Sequence, residues 1–172
     1  MSTRLSMIAL NELLATFQPL PCWRFAKYLG SMLTLDFGDQ IDVQTHDSTF
    51  VIEGSLVIGV RNAFWIAMMG ERVITNSAGV DQPTFDKELS RCPIGSVLEE
   101  VSKTDDNRWI SFRFANTFAL NVDATNMWKT ESDIFEITLP DGRIVVHDQE
   151  GIIEILDEVE PVRADRWRAR LI

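Results

Sequence analysis

The stretch Ile110-Ser111-Phe112-Arg113-Phe114-Ala115-Asn116-Thr117-Phe118-Ala119-Leu120-Asn121-Val122 alternates apolar and polar residues on both sides of a short polar loop. That period of two belongs to half-buried strands. Directly opposed residues of a hairpin share a face, so the apolar sets coincide when Phe114 meets Phe118, Phe112 meets Leu120 and Ile110 meets Val122. Ala115, Asn116 and Thr117 are then the loop. A loop of that length commonly needs a left-handed last residue, which β-branched Thr117 suits poorly, so Asn116 is expected to take that conformation in a different turn.

Downstream, Phe135, Ile137 and Leu139 run into Pro140-Asp141-Gly142, with Ile144 and Val146 following. A two-residue Asp-Gly turn pairs Leu139 with Ile144 and Ile137 with Val146. The same register sets His147 opposite Glu136, on the face away from Ile137 and Val146.

Upstream, Leu10, Leu13, Leu14 and Phe17 fall at helical spacing, which predicts an amphipathic helix over 7–17 with Ser6 as its N-cap. Trp23, Arg24 and Phe25 read as connector. Leu33, Leu35 and Phe37 alternate in a strand turned at Gly38-Asp39, with Ile41-Val43 and Thr49-Ile52 as short strands broken at Gly54. The apolar run Ser55–Met69 fits one bent strand or two successive ones, turned at Gly70-Glu71. A short helix is expected over 84–89 with Thr84 as N-cap. Short strands at 8 to 12 residue intervals predict one mainly β (α+β) domain over 1–172. The expected form is an antiparallel two-sheet sandwich or partly open barrel, with its β core at 32–147 and a 152–172 tail that is helix or strand. In that tail Arg163, Arg166, Arg168 and Arg170 surround Trp167.

A chain of 172 residues buries roughly 70% of its unfolded surface, so it needs no staples. Cys22 and Cys92 are far apart and form no CxxC, which predicts two reduced thiols. The N-terminal apolar run lacks a cleavage site, and no stretch reaches ~18 uninterrupted apolar residues, so a cytoplasmic protein without a membrane role is expected. The net charge of −10 disfavours nucleic acid, whose phosphates need a basic face, and suits a basic protein partner.

Asp36-Phe37-Gly38 matches the kinase magnesium motif in letters alone, with no Gly-rich loop or catalytic loop beside it. The two histidines, His46 and His147, have no neighbours at ligand spacing, so no metal or cofactor is expected. His147 with Glu136 is the one pair that could support hydrolysis, a carboxylate orienting an imidazole base. Asp36, Asp39, Asp42 and Asp47 cluster around a strand turn and could hold a cation or face a basic partner, the plain alternative being a solvated acidic edge whose charges discourage edge-to-edge pairing. Phe64, Trp65, Phe112, Phe114, Phe118 and Phe135 are enough to line a cavity for a small apolar ligand, although filling the core is the better reading of them.

Several short stretches carry a resemblance: Leu33-Thr-Leu-Asp-Phe-Gly38, Gly54-Ser-Leu56, Phe64-Trp-Ile66, Asn76-Ser77, Gly95 before Val97, and Phe135-Glu-Ile-Thr-Leu-Pro-Asp-Gly142. Over about Leu33 to Gly151 the chain resembles a loose group of uncharacterised bacterial β-rich proteins. In these an LxLxFG strand opens the domain and a PDG hairpin closes it. The resemblance implies a bacterial accessory protein, some similar ones being immunity-like, and brings no site residues. Together these readings point to a non-enzymatic protein-binding module, with a ligand-binding barrel and a hydrolase as alternatives.

Overall fold

A computed structural model describes residues 2–28, 30–44, 48–61, 63–125, 134–148 and 150–157. The C-terminal arginines, Trp167, His46 and Asp47 lie outside the described residues.

The first hairpin folds in the register its apolar pattern requires: β8 (Trp109–Phe114) pairs β9 (Phe118–Asp123) with Phe112 opposite Leu120 and Ile110 opposite Val122. Thr117, not Asn116, takes the left-handed conformation, at φ 69°. Asn116 stabilises that turn. Its side chain accepts from Phe118 N and donates to the Cys92 carbonyl, while its own N–H reaches Ser96 Oγ. Tertiary bonds to a neighbouring loop thus offset local strain.

The hairpin sits in a five-stranded antiparallel sheet of order β6-β5-β9-β8-β7, with β5 at Trp65–Met69, β6 at Arg72–Asn76 and β7 at Leu98–Lys103. A seven-stranded antiparallel sheet faces it, in the order β1-β12-β11-β10-β4-β3-β2. Its strands are β1 (Ser2–Leu5), β2 (Cys22–Lys27), β3 (Leu33–Gln44), β4 (Phe50–Val60), β10 (Phe135–Thr138), β11 (Ile144–His147) and β12 (Ile153–Leu156). The architecture is the expected α+β two-sheet sandwich, with no closed barrel.

Aromatic rings join the layers. Phe112 meets Phe135 edge-on at 5.3 Å, and Phe37 stacks on Phe114 at 5.9 Å. Phe25 packs against both Phe85 and Phe118. Such pairs each contribute about 0.5–1.5 kcal/mol beyond their buried area.

Helix α1 spans Met7–Ala15, and Ser6 Oγ accepts from Ala9 N as its N-cap. Leu10 and Leu14 are buried, and Leu13 and Phe17 pack beside them. On its polar side Asn11 bonds both the N–H and the carbonyl of Val101, acting as a short strand that closes the β7 edge. Helix α2 spans Gln82–Glu88, and its cap is Asp81, whose carboxylate accepts from Thr84 N. Thr84 is therefore a capped residue, not the cap.

Three other sequence expectations are corrected. Residues 22–27 are strand β2, paired to β3, where a connector was expected. Gly38-Asp39 is a bulge inside one long strand, Gly38 standing at φ 71°, so β3 bends and continues where a turn was expected. Strand β4 likewise runs through Gly54 without a break. The 55–69 run resolves into β4 and β5, which belong to different sheets.

The second hairpin is shifted by one residue from the expected register. Glu136 pairs Val146, Ile137 pairs Val145 and Thr138 pairs Ile144. Leu139 N donates to the Arg143 carbonyl, so Pro140, Asp141 and Gly142 form a three-residue loop. Gly142 takes φ 90°, the left-handed end of that loop, and the Asp141 carboxylate receives Arg143 N, Nε and Nη2.

Candidate protein-binding site

The one-residue shift decides the fate of the candidate catalytic pair. His147 stands opposite Phe135 on the inner face of the sheet, fully buried, its ring 5.1 Å from the phenyl. Neither ring nitrogen has a hydrogen-bond partner. Burial pushes its pKa down to about 4, and the Lys103 charge adds to the effect.

Glu136, one residue on from Phe135, turns to the opposite face of the sheet. There Arg61 Nη2 donates to its carboxylate at 2.9 Å, both side chains being buried. The expected Glu136–His147 contact therefore does not form, and the proposed base is enclosed in apolar core, out of reach of a substrate.

The aromatic residues that could have lined a cavity are packed as core, the preferred reading of them. Trp65, Phe112, Phe118 and Phe135 are fully buried, Phe114 nearly so and Phe64 half-buried; Phe112 meets Phe135 across the layers, and Phe114 meets Phe118 within one sheet. A depression of about 420 Å³ does exist, but it lies on the surface between Ile94–Val97 and the Ala115-Asn116 turn, away from these rings.

The four candidate aspartates separate. Asp36 is fully buried, against the expectation that it faces a partner. Strand β2 brings Arg24 directly opposite it, and the guanidinium makes two bonds to its carboxylate, at 2.8 and 3.0 Å. Gly54 N donates a third. Burial works against the Arg24 charge, yet the hydrogen bonds and charge of Asp36 outweigh it and raise the Arg24 pKa. Asp36 is thus an internal fastener of three strands. Asp39 and Asp42 are exposed, as an interaction role requires, and Asp47 lies outside the described residues.

Asp39 and Asp42 stand on a ribbon that leaves the sheet. Among the described residues, β3 beyond the bulge pairs only with β4, from Gln40 opposite Gly54 to Gln44 opposite Phe50. The flanking strands end earlier: β2 reaches only Phe37 of β3, and β10 only Val57 of β4. Gln40, Asp42, Gln44, Phe50 and Ile52 share one face of the ribbon. Phe50 is 67% exposed and Ile52 48%. Ile41, Val43 and Val51 share the other and are half-buried.

Sequence reasoning found the two exposed aspartates and missed Phe50 and Ile52, whose letters match those of core strand residues. No signal within the stretch marks them, because their exposure depends on how far β2 and β10 reach alongside.

Both thiols are free and held protonated, Cys22 by burial that lifts its pKa to about 12, Cys92 by a smaller rise of the same cause. Among the described residues no helix is long and apolar enough to cross a membrane, and no three His, Cys, Asp or Glu side chains gather where they could hold a metal ion. Compared with protein-family models, with curated proteins and with solved structures, the chain matches none.

Proposed function

We propose that this chain is a non-enzymatic protein-binding module that engages a basic protein through the ribbon formed by residues 39–44 and 50–54. The observation that carries the reading is the exposure of Phe50 and Ile52 on the same ribbon face as Asp42. A two-stranded ribbon is marginally stable alone in water, and covering one such side chain contributes roughly 1.5–3 kcal/mol. The net charge of −10 steers a basic partner toward the molecule and repels acidic ones. An immunity-like protein of the bacterial cytoplasm, covering a basic toxin, is the biological form this reading takes.

The test is affinity capture with the full chain as bait at rising salt, run beside Asp42→Lys and a Phe50→Ser/Ile52→Ser double variant. The reading expects a basic protein retained by the wild type, released as salt rises, and lost from both variants. A set of captured proteins identical for all three baits would overturn it.

A further inference from the structure

We infer that the outer edge of β3, from Gln40 to Gln44, accepts a β-strand whose residues alternate between basic and apolar. This rests on the binding reading above and adds the mode of contact. Among the described residues, the last backbone bond on that side of β3 runs from Gly38 N to the Pro21 carbonyl. Past the bulge, residues 40–44 pair on their inner side only, with β4. Alternate residues of an unpaired strand edge turn both N–H and C=O outward, a template for another strand.

Both edges of the five-stranded sheet carry a polar or charged guard. Asn11 occupies β7 with its side-chain amide, and β6 opens with Arg72. The β3 edge reads Gln-Ile-Asp-Val-Gln, with neither proline nor lysine to discourage pairing. Its side chains select the occupant. An added strand would place one set of side chains beside Ile41 and Val43 and the other beside Gln40, Asp42 and Gln44. The first set is matched by apolar residues. The second is matched by lysine or arginine, whose charge meets Asp42. A second copy of this chain fits poorly, because antiparallel self-pairing centred on Asp42 opposes two carboxylates on molecules that each carry a charge of −10.

The experiment uses the full chain labelled with nitrogen-15 and three hexapeptide probes: alternating Lys-Val, alternating Glu-Val, and the Lys-Val peptide N-methylated at alternate amides. The Lys-Val peptide is expected to slow amide exchange within residues 40–44 by about tenfold or more at saturation, while the other two leave it unchanged. Asp42→Lys should transfer the preference to the Glu-Val peptide. If the N-methylated peptide binds the ribbon as well as its parent, contact is through side chains alone. That outcome overturns strand addition while leaving the ribbon a binding surface. Protection confined to other edges, or none anywhere, overturns the assignment of β3 as the receiving edge.

Discussion

The hairpins β8–β9 and β10–β11 have loops of equal length, yet one was legible in full register and the other shifted by one residue. The difference lies in how many faces each buries. In β8, Ile110, Phe112 and Phe114 are buried while Ser111 and Arg113 are not, so a one-residue slip would turn the apolar set to solvent. In β10 every residue from Phe135 to Thr138 is buried. Apolar matching therefore has no face to choose between, and turn chemistry decides. Gly142 supplies the left-handed position of a three-residue loop at no steric cost, whereas Thr117 adopts the same conformation under strain, held by the bonds of Asn116.

The largest expected effect separates the two possible registers of the second hairpin. Arg61→Ala leaves the Glu136 carboxylate buried without that guanidinium and should cost about 3–5 kcal/mol in denaturant unfolding. In a double-mutant cycle Glu136→Gln should couple strongly to Arg61→Ala, and should be additive with His147→Leu within about 0.5 kcal/mol. Strong coupling of Glu136 to His147 instead would restore the expected register.

Next comes pH. An unfolded histidine titrates near 6.5, while His147 in the fold is held down to about 4, so between those values the unfolded chain binds the additional proton. The contribution of His147 is complete above pH ~6.5 and is lost as pH falls toward ~4, a loss of roughly 3 kcal/mol. Unfolding measured across that window should show His147→Leu lacking this component of the slope. An unchanged slope would mean that the imidazole is not enclosed as the shifted register places it.

The smallest effects set the two loops directly against each other, with opposite signs. Gly142→Ala should destabilise by about 1–2 kcal/mol, because alanine at φ 90° meets its own backbone. Thr117→Gly should stabilise by about 0.5–1 kcal/mol, the relief of strain being partly offset by the entropy of the freer unfolded chain. Thermal unfolding of both variants checks the pair, and equal signs would break the comparison.

The same contrast accounts for what could be read of the candidate site. Asp39 and Asp42 were found because a strand turn rich in carboxylates is visible as letters, and the bulge that replaces the turn still exposes both. Asp36 was misassigned because its environment comes from Arg24 of β2, a strand with too little alternation to be recognised. Phe50 and Ile52 escaped notice because exposure depends on where β2 and β10 end, which nothing within 50–54 encodes.

Local information alone was enough for the mainly β class, for the Ser6-capped helix and for the β8–β9 register. Each of these rests on a period, a cap or a single buried face contained within about a dozen residues. Contacts between distant segments decided the rest: the slip of β10 against β11, the separation of Glu136 from His147, the burial of Asp36 and the projection of the ribbon. These depend on which strand lies alongside and how far it reaches, and a strand's own letters do not specify the length of its neighbour.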